Sequence, residues 1–372
     1  MNTSKSNSYG KLLVFFLIAV ILVFAFGFVA DGWQSDTEPE PDSGDNDNND
    51  NNTDKADENT DGQENESKEP EVYIPTYVNN LTGLEVTEED SKKRHTCFVM
   101  SSSAALYGIS SADLIAEIPI ENGSTRLVAF MSDSSVLGKI GSIEPTRGYI
   151  SNIAKNFGAS LISYGNDDTK IYASADISAS HFDLTKYTGY HYTEYTQFVY
   201  TNGDLINAGL SNSGIASASS AKPMLPYVFT DFGAEAVVGT DNAKTVIIPY
   251  ADGAETELYY SAADGLYTFA KSGTVKHDML NDKTVKFQNV FILFADTVTY
   301  ETKDGSQMIM NTVGSGSGYY ITGGTAINIT WSATESGSVS FYDELGERLT
   351  VNRGSFYIGY VKSSLTDEVK LS

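Results

Sequence analysis

The sequence predicts an α+β fold in which an N-terminal α/β-type domain, residues 72–222, is followed by a β-rich domain, residues 223–372. The first observation is the order strand, helix, strand over Arg126–Met131, Tyr149–Phe157 and Ala159–Tyr164, which is typical of a βαβ-like layer. The second is a change, beyond residue 222, to short alternating strands punctuated by glycine, asparagine and aspartate. Two kinds of architecture are therefore expected within one chain.

The N-terminal segment, residues 1–30, contains an uncharged apolar run from Leu12 to Ala30. At about 1.5 Å of rise per residue, a helix of this length spans the ~30 Å hydrocarbon core of a bilayer. Lys5 and Lys11 precede the run and acidic residues follow it, so the positive-inside rule places the rest of the chain outside the cell. A single-pass membrane anchor is favoured. A cleaved signal peptide, with a site at Ala25–Gly27, would give a secreted protein instead.

The segment that follows, residues 31–71, is a low-complexity stretch of aspartate, glutamate, asparagine, glycine and proline. The formal net charge of the chain is −25, and this stretch holds more than half of it. Such a segment buries too little apolar surface to offset the entropy of ordering, so we expect a disordered, extended tether. The acidic balance also excludes a nucleic-acid-binding protein, because phosphate backbones require a basic surface.

The elements of residues 72–222 begin with the apolar run Cys97–Met100, which predicts a buried strand. A Ser-Ser-Ala-Asp start predicts a capped helix over Ser110–Ile118, which Pro119 would end. A further helix is expected over Asp204–Leu210. The chain has one cysteine, so neither an intrachain disulfide nor a thiolate metal cluster can form, and its apolar neighbours favour a buried side chain over a nucleophile.

The elements of residues 223–372 are strands, with hairpin turns expected at Ala263–Gly265 and Lys303–Gly305. A glycine-rich stretch, Gly314–Gly318, looks like a phosphate-binding loop. A strand and a turn follow it where such a loop requires a helix, so a structural glycine turn is expected. The predicted strands are Thr245–Tyr250, Glu257–Tyr260, Val285–Phe294, Gln307–Val313, Ala326–Trp331, Ser338–Tyr342 and Ser355–Val361.

Histidines beside carboxylates form one group of candidate site residues. His181 with Asp183, and His191 with Glu194, have spacings that could supply metal ligands or an acid and a base. Both pairs lie in a stretch rich in tyrosine and threonine, which favours a hydrogen-bonded loop or edge strand. His277 follows a turn and is interpreted in the same way.

Arg126 and Arg147 form the second group. Arg126 lies beside an apolar strand, and Arg147 immediately precedes a predicted helix, where the helix dipole already favours anions. The two guanidinium groups could grip a carboxylate or a phosphate. The competing interpretation, which is favoured, is internal pairing with Glu117, Glu121 or Glu144.

A series of short motifs follows in order along the folded part: Asn80–Leu84, Ser111–Glu117, Glu121–Arg126, Ile140–Ile143 with Arg147, Val275–Asp278, Gln288–Val290, Val313–Gly316, Ile329–Trp331, Phe341–Asp343, Gly346 and Asn352–Gly354. Together they resemble the YerB-like family of extracytoplasmic lipoprotein-like proteins, whose function is not established. Members with a lipobox carry a cysteine at the membrane end. This chain lacks that cysteine, so the resemblance implies that the apolar run is its anchor. Glu144 stands where the family pattern has an arginine, which implies an altered anion site.

These features predict an extracytoplasmic cell-envelope protein, anchored in the cell membrane, that binds a wall component or another envelope protein without catalysis. The ligand is expected across the junction of the two domains, with no cofactor, no metal and no nucleic acid. The expected ligand-binding residues are Glu117, Glu121, Thr125, Arg126, Glu144 and Arg147.

The alternative is a hydrolase of an envelope polymer. It would use Glu117, Glu121 or Glu144 with His181 or His277 as acid and base. Convergence of the two arginines, Glu121 and a histidine in one cleft would favour the hydrolase. Pairing of both arginines with internal carboxylates would favour binding without catalysis.

Overall fold

The computed structural model describes residues 72–165, 180–195, 197–218, 225–251, 254–302 and 305–372. These residues belong to one unit, Lys68–Ser372. The predicted anchor over residues 1–30 and the predicted tether over residues 31–71 lie outside the described residues. Within the described ranges, no helix is both long enough and apolar enough to span a bilayer.

Three α-helices are interspersed among eight strands in the described residues up to 218, and local capping explains where two of the helices begin. Thr87 and Asn202 each accept a backbone N–H of the first helical turn through a side-chain oxygen. The helices are α1 (Glu88–Lys92), α2 (Gly148–Asn156) and α3 (Gly203–Asn212). The strands are β1 (Thr96–Ser101), β2 (Leu114–Pro119), β3 (Thr125–Met131), β4 (Ile140–Ile143), β5 (Ser160–Ser163), β6 (His181–Asp183), β7 (Tyr192–Glu194) and β8 (Phe198–Thr201).

The described residues after 225 contain strands joined by turns and one 3₁₀ turn at Ser363–Glu368. The strands are β9 (Val228–Phe229), β10 (Asp241–Asn242), β11 (Thr245–Ala251), β12 (Ala254–Ser261), β13 (Leu266–Lys271), β14 (Thr274–Val275), β15 (Lys286–Phe287), β16 (Asn289–Ala295), β17 (Thr297–Thr302), β18 (Gly305–Met310), β19 (Gly314–Thr322), β20 (Thr325–Ala333), β21 (Val339–Tyr342), β22 (Thr350–Val351), β23 (Phe356–Lys362) and β24 (Lys370–Leu371).

A 14-stranded sheet joins both halves of the chain, with the main path β10-β20-β19-β16-β23-β2-β3-β1-β4-β8-β7. Strand β23 lies between β16 and β2 and runs parallel to both. Strand β3 lies antiparallel between β2 and β1. Strands from either side of the predicted boundary at residues 222 and 223 thus share one sheet, and that boundary stays a prediction.

Both faces of this sheet are covered near β2, β3 and β23, which explains their long apolar runs. One face packs against a six-stranded sheet of β11–β15 and β24, where Ile248 and Phe269 meet Ile115 and Leu127. The opposite face packs against α2, whose Ile150 and Ile153 join a second apolar core. Consecutive residues of β2 and β3 therefore enter different cores, because side chains alternate along a strand.

The β-rich character predicted from the sequence is confirmed, but an α/β-type domain over residues 72–222 is not. The predicted βαβ layer differs from the structure in its pairing, because β5 lies parallel to β1 rather than beside β3. The strand predicted at Arg126–Met131 and the helix predicted at Tyr149–Phe157 are confirmed within a residue as β3 and α2. The helix predicted at Asp204–Leu210 is confirmed as the longer α3.

The helix predicted over Ser110–Ile118 is wrong. A 3₁₀ turn at Ile109–Ser111 is followed by strand β2, which is buried along its whole length. The strand forms instead of the helix because β3 and β23 pair with it on both sides. A local capping signal contains no information about these partners.

The glycine-rich stretch Gly314–Gly318 is part of strand β19 rather than a turn. A Cβ at Gly316 would lie 2.4 Å from the carbonyl oxygen of Phe294, and one at Gly318 would lie 2.2 Å from that of Ile292. These glycines let the β19 backbone approach β16 closely, which is a structural role.

Motifs from the two ends of the folded chain meet in space. Arg353 donates to the carbonyl of Gly83 and, at 3.0 Å, to that of Thr230. The N–H of Gly354 donates to the carbonyl of Thr82 at 2.9 Å. The motifs Asn80–Leu84 and Asn352–Gly354 therefore hold the fold together.

Candidate functional site

Glu117 is fully buried on β2, at the face that packs against the six-stranded sheet. Its carboxylate accepts hydrogen bonds from the hydroxyls of Thr125 at 2.6 Å, Thr256 at 2.7 Å and Tyr357 at 2.7 Å. Lys271 completes the set with an ion pair to the same carboxylate. We call these five residues the Glu117 cluster.

The ammonium and the hydroxyls of the Glu117 cluster also contact one another and a further tyrosine. The Lys271 ammonium also donates to the Thr256 hydroxyl at 3.0 Å, and the Tyr250 hydroxyl lies 3.2 Å from that of Tyr357. Burial, together with the nearby charge of Glu117, raises the pKa of both tyrosines well above the usual value. Four donors on one carboxylate leave it little capacity to act on a ligand.

Arg126 follows Thr125 in β3 and therefore points to the opposite face of the sheet. Its Nη2 lies 3.0 Å from the Glu144 carboxylate, and the two side chains are 16% and 27% exposed. The Nε of Arg126 is buried and has no hydrogen-bond partner among the described residues. Burial lowers the pKa of this guanidinium, while the charge of Glu144 opposes the shift.

Arg147 precedes α2 as its N-cap residue and binds Glu121 through two nitrogens. Nη2 donates to Glu121 at 2.9 Å and Nε donates at 3.3 Å, a fork geometry that suits a carboxylate. Burial would raise the pKa of the Glu121 carboxyl, but the hydrogen bonds and charge of Arg147 outweigh it and lower that pKa. We call Glu121, Arg126, Glu144 and Arg147 the arginine cluster.

The six residues predicted as one ligand-binding set are thus divided between two faces of one sheet. Glu117 and Thr125 lie in the Glu117 cluster, and the other four form the arginine cluster. Both arginines pair with carboxylates, as the favoured interpretation of the sequence expects. Ligand binding by these residues stays a prediction.

His181 lies on β6 beside Ser163, with 2.8 Å between its Nε2 and the Ser163 Oγ. That hydroxyl is fully buried and donates its own proton to the Gly165 carbonyl at 2.8 Å. The His181 nitrogen must then donate to Ser163 rather than accept from it, so the pair is not an activated nucleophile. Burial lowers the pKa of His181.

His277 lies at a half-exposed turn, with its Nδ1 3.8 Å from the Asp282 carboxylate. Its neighbour Asp278 is buried and accepts the backbone N–H groups of Gly108 and Ser110, each at 2.9 Å. Across the described ranges, neither His181 nor His277 hydrogen-bonds or pairs with Glu117, Glu121 or Glu144. The same ranges hold no group of three or more His, Cys, Asp or Glu side chains placed to bind a metal ion.

A cavity of about 750 Å³ lies where β1 and β5 begin and β3 ends, a site that the sequence did not indicate. Its wall combines hydroxyls, one amide, three cations, three carboxylates and a small apolar patch. The lining residues are Glu88, Glu89, Lys92, Lys93, Arg94, Thr96, Ser132, Asp133, Ser134, Ser135, Ser160, Asn207, Leu210, Ala216, Ser217 and Ala218. The run Lys92–Arg94 and the serines around Asp133 were the available sequence signals.

Most of the cavity's charged groups are paired with each other. Lys92 pairs with Glu88 at 2.5 Å, and Lys93 pairs with Asp133 at 3.2 Å. Among the described residues, the Arg94 side chain donates only through its Nε, to the Gly158 carbonyl at 3.1 Å. Its two terminal nitrogens have no partner within this part of the chain and lie at the cavity wall.

Comparisons with known proteins agree with this fold. The family model of the DUF3048 N-terminal domain, described as a protein of unknown function, matches residues 81–216. The family model of the DUF3048 C-terminal domain matches residues 246–358. The crystal structure of the YerB protein from Bacillus subtilis is similar with a TM-score of 0.68 at 20% identity, over 79% of this chain and 99% of that chain. At this identity the likeness shows the fold alone. No curated protein matches the chain.

Proposed function

The chain belongs to the YerB-like family of DUF3048 proteins, and from this premise we propose that it is a non-catalytic binding protein of the cell envelope. Its N-terminal apolar run would hold it in the cell membrane, and the acidic stretch would carry the folded unit outward. The ligand would be a wall component or an envelope protein.

The observation that carries this proposal is the cavity at the start of β1 and β5. Its volume of about 750 Å³ is in the range of ligand sites, about 300–1,000 Å³. Hydroxyls and an amide dominate the neutral part of its wall, and these groups bind saccharide hydroxyls and peptide amides. The cavity lies within the predicted α/β-type half rather than at the junction with the β-rich half, where the sequence places the ligand.

The binding interpretation is favoured over the hydrolase by the state of the carboxylates. Glu117 is saturated by four donors, and Glu121 and Glu144 are paired with arginines. The cavity wall contains no histidine or cysteine among its described residues. No contact in the described part of the chain favours the hydrolase.

Charge argues for peptidoglycan over teichoic acid as the wall component. The chain carries a formal net charge of −25, and it remains acidic when residues 31–71 are set aside. A polyphosphate would be repelled over distances up to the Debye length, about 8 Å at physiological salt. Peptidoglycan presents sugar hydroxyls and short peptides, which match the neutral and paired groups of the cavity.

The test is co-sedimentation of the purified full chain, kept in mild detergent, with insoluble peptidoglycan from which teichoic acid has been stripped. We expect retention on the stripped material and no release of soluble sugar or peptide. Immobilised teichoic acid serves as the comparison. Retention on neither polymer contradicts wall binding, and release of soluble fragments contradicts a non-catalytic role.

A further inference from the structure

We infer that the cavity binds a short peptide carrying both a free carboxylate, held by Arg94, and a free amino group, held by Glu89. This inference rests on the proposed function and names the chemistry of its ligand. Arg94 and Glu89 are the two charged side chains of the cavity wall that no described residue neutralises.

Two hydrogen bonds fix Arg94 at the cavity wall without using its two terminal nitrogens. Its backbone N–H donates to the Ser217 carbonyl at 2.8 Å, and its Nε donates to the Gly158 carbonyl at 3.1 Å. No carboxylate of the described residues pairs with it, unlike neighbouring Lys92 and Lys93. A positioned guanidinium with two free terminal nitrogens is suited to a ligand carboxylate.

Glu89 is the complementary group on α1. Lys92 is committed to Glu88, and Lys93 is shared by Asp90 at 2.8 Å and Asp133 at 3.2 Å. The Glu89 side chain forms no hydrogen bond or ion pair with any other described residue. One open cation and one open carboxylate on the same wall select a zwitterionic ligand over a polyanion or a neutral sugar.

The rest of the wall fits the middle of a peptide. Thr96 and Ser134 share a hydrogen bond at 3.3 Å, and other hydroxyls and the Asn207 amide line the space between the charged groups. Leu210 with two alanines supplies an apolar patch that suits small methyl side chains rather than aromatic ones. Peptide amides and alanine-sized side chains satisfy both surfaces, and this is the composition of a wall stem peptide.

The test is titration calorimetry of the full chain in mild detergent. The probes are the synthetic pentapeptide N-acetyl-L-Ala-γ-D-isoglutaminyl-L-Lys-D-Ala-D-Ala, whose one free carboxylate is C-terminal and whose one free amine is the lysine ε-amine, and the same peptide with an amidated C-terminus. We expect Arg94→Met to weaken binding of the free acid by about tenfold or more, the range of a hydrogen bond to a charged group. The amidated peptide should bind about equally weakly to the wild type and to this variant.

Two further variants keep the inference testable if Arg94→Met fails to fold. Glu89→Gln changes an exposed side chain and should weaken binding severalfold, and it should lose no further affinity when the peptide amine is acetylated. Lys286→Met removes a cation that is paired with Asp264 and lies outside the cavity wall, so binding should be unchanged.

The outcomes separate this inference from the proposed function. Retention on peptidoglycan without peptide binding, or with equal affinity in Arg94→Met and wild type, overturns the peptide assignment and leaves wall binding intact. Loss of affinity in Lys286→Met equal to that in Arg94→Met also overturns it, because general charge would then explain the effect. Absence of retention together with absence of peptide binding overturns both.

Discussion

On both faces of the sheet at strand β3, glutamates form ion pairs with cations, but the pair is buried on one face and the pairs are partly exposed on the other. On one face Thr125 joins the Glu117 cluster, where the glutamate is fully buried and its lysine partner is 12% exposed. On the other face Arg126 joins the arginine cluster, where the side chains of the two ion pairs are 14–27% exposed. Neighbouring residues in the sequence therefore belong to sites on opposite sides of the sheet.

This difference decides what each cluster contributes. A buried ion pair is costly to form, yet breaking it by removing one partner costs about 3–5 kcal/mol, because an uncompensated charge stays buried. A pair with water access contributes about 0–1 kcal/mol, and a forked, partly buried pair lies between these cases. The Glu117 cluster should therefore contribute more than the arginine cluster to the free energy of unfolding.

The largest effect is expected for Glu117→Gln. The amide keeps the shape of the side chain but leaves the Lys271 ammonium without a counter-charge. We expect the free energy of unfolding to fall by about 3–5 kcal/mol, measured by urea denaturation of the full chain in mild detergent.

The double variant Glu117→Gln with Lys271→Met serves as the control, because it removes both charges and should recover part of the lost stability. A loss below about 1 kcal/mol in the single variant would mean that Glu117 is not the charged centre of its cluster.

An intermediate effect is expected for Glu121→Gln, which removes the charged fork to Arg147. We expect the free energy of unfolding at neutral pH to fall by about 1–2 kcal/mol.

The pH dependence of this variant follows from the lowered pKa of Glu121. The carboxyl has an ordinary pKa of 4.5, and the folded value lies below it. Its contribution is therefore complete above pH 4.5 and is lost as the pH falls through the folded value. Wild type and variant should converge in stability in that acidic range. A constant difference down to the acid limit would contradict the assignment.

The smallest effect is expected for Glu144→Gln, because one contact to Arg126 is lost at a partly exposed position. The free energy of unfolding should change by less than about 1 kcal/mol, and the change should shrink in 1 M salt, where the Debye length is about 3 Å. A loss as large as that of Glu117→Gln would remove the distinction between the two clusters.

The sequence predicts well the elements that local patterns specify. Strand β3 and helix α2 lie within a residue of their predicted bounds, because their apolar periodicity and the stop at Gly158 are local signals. The sequence predicts a helix where strand β2 lies, because the partner strands β3 and β23 are not visible in its local pattern. Internal pairing of Arg126 and Arg147 is predicted from the residue types alone.

Two features of the sites could not be derived from spacing. Lys271 meets Glu117 across 154 positions, and nothing in the local sequence of either residue indicates the other. The sequence does not indicate the cavity because four segments far apart in the chain, around Lys92, Asp133, Ser160 and Asn207, build its wall. Proximity of this kind depends on topology, which short motifs do not encode.

The position of β23 between β16 and β2 has a consequence for how the chain folds. Tyr357 reaches Glu117 across 240 positions of sequence, so the central pairing of the large sheet has a very high contact order. Such pairings form slowly, because the entropy of closing a long loop must be met before any contact is gained. Until residues 356–362 arrive, β2 and β16 present open edges that can pair with other chains. A chain of this design depends on protection of those edges until β23 has paired with both strands.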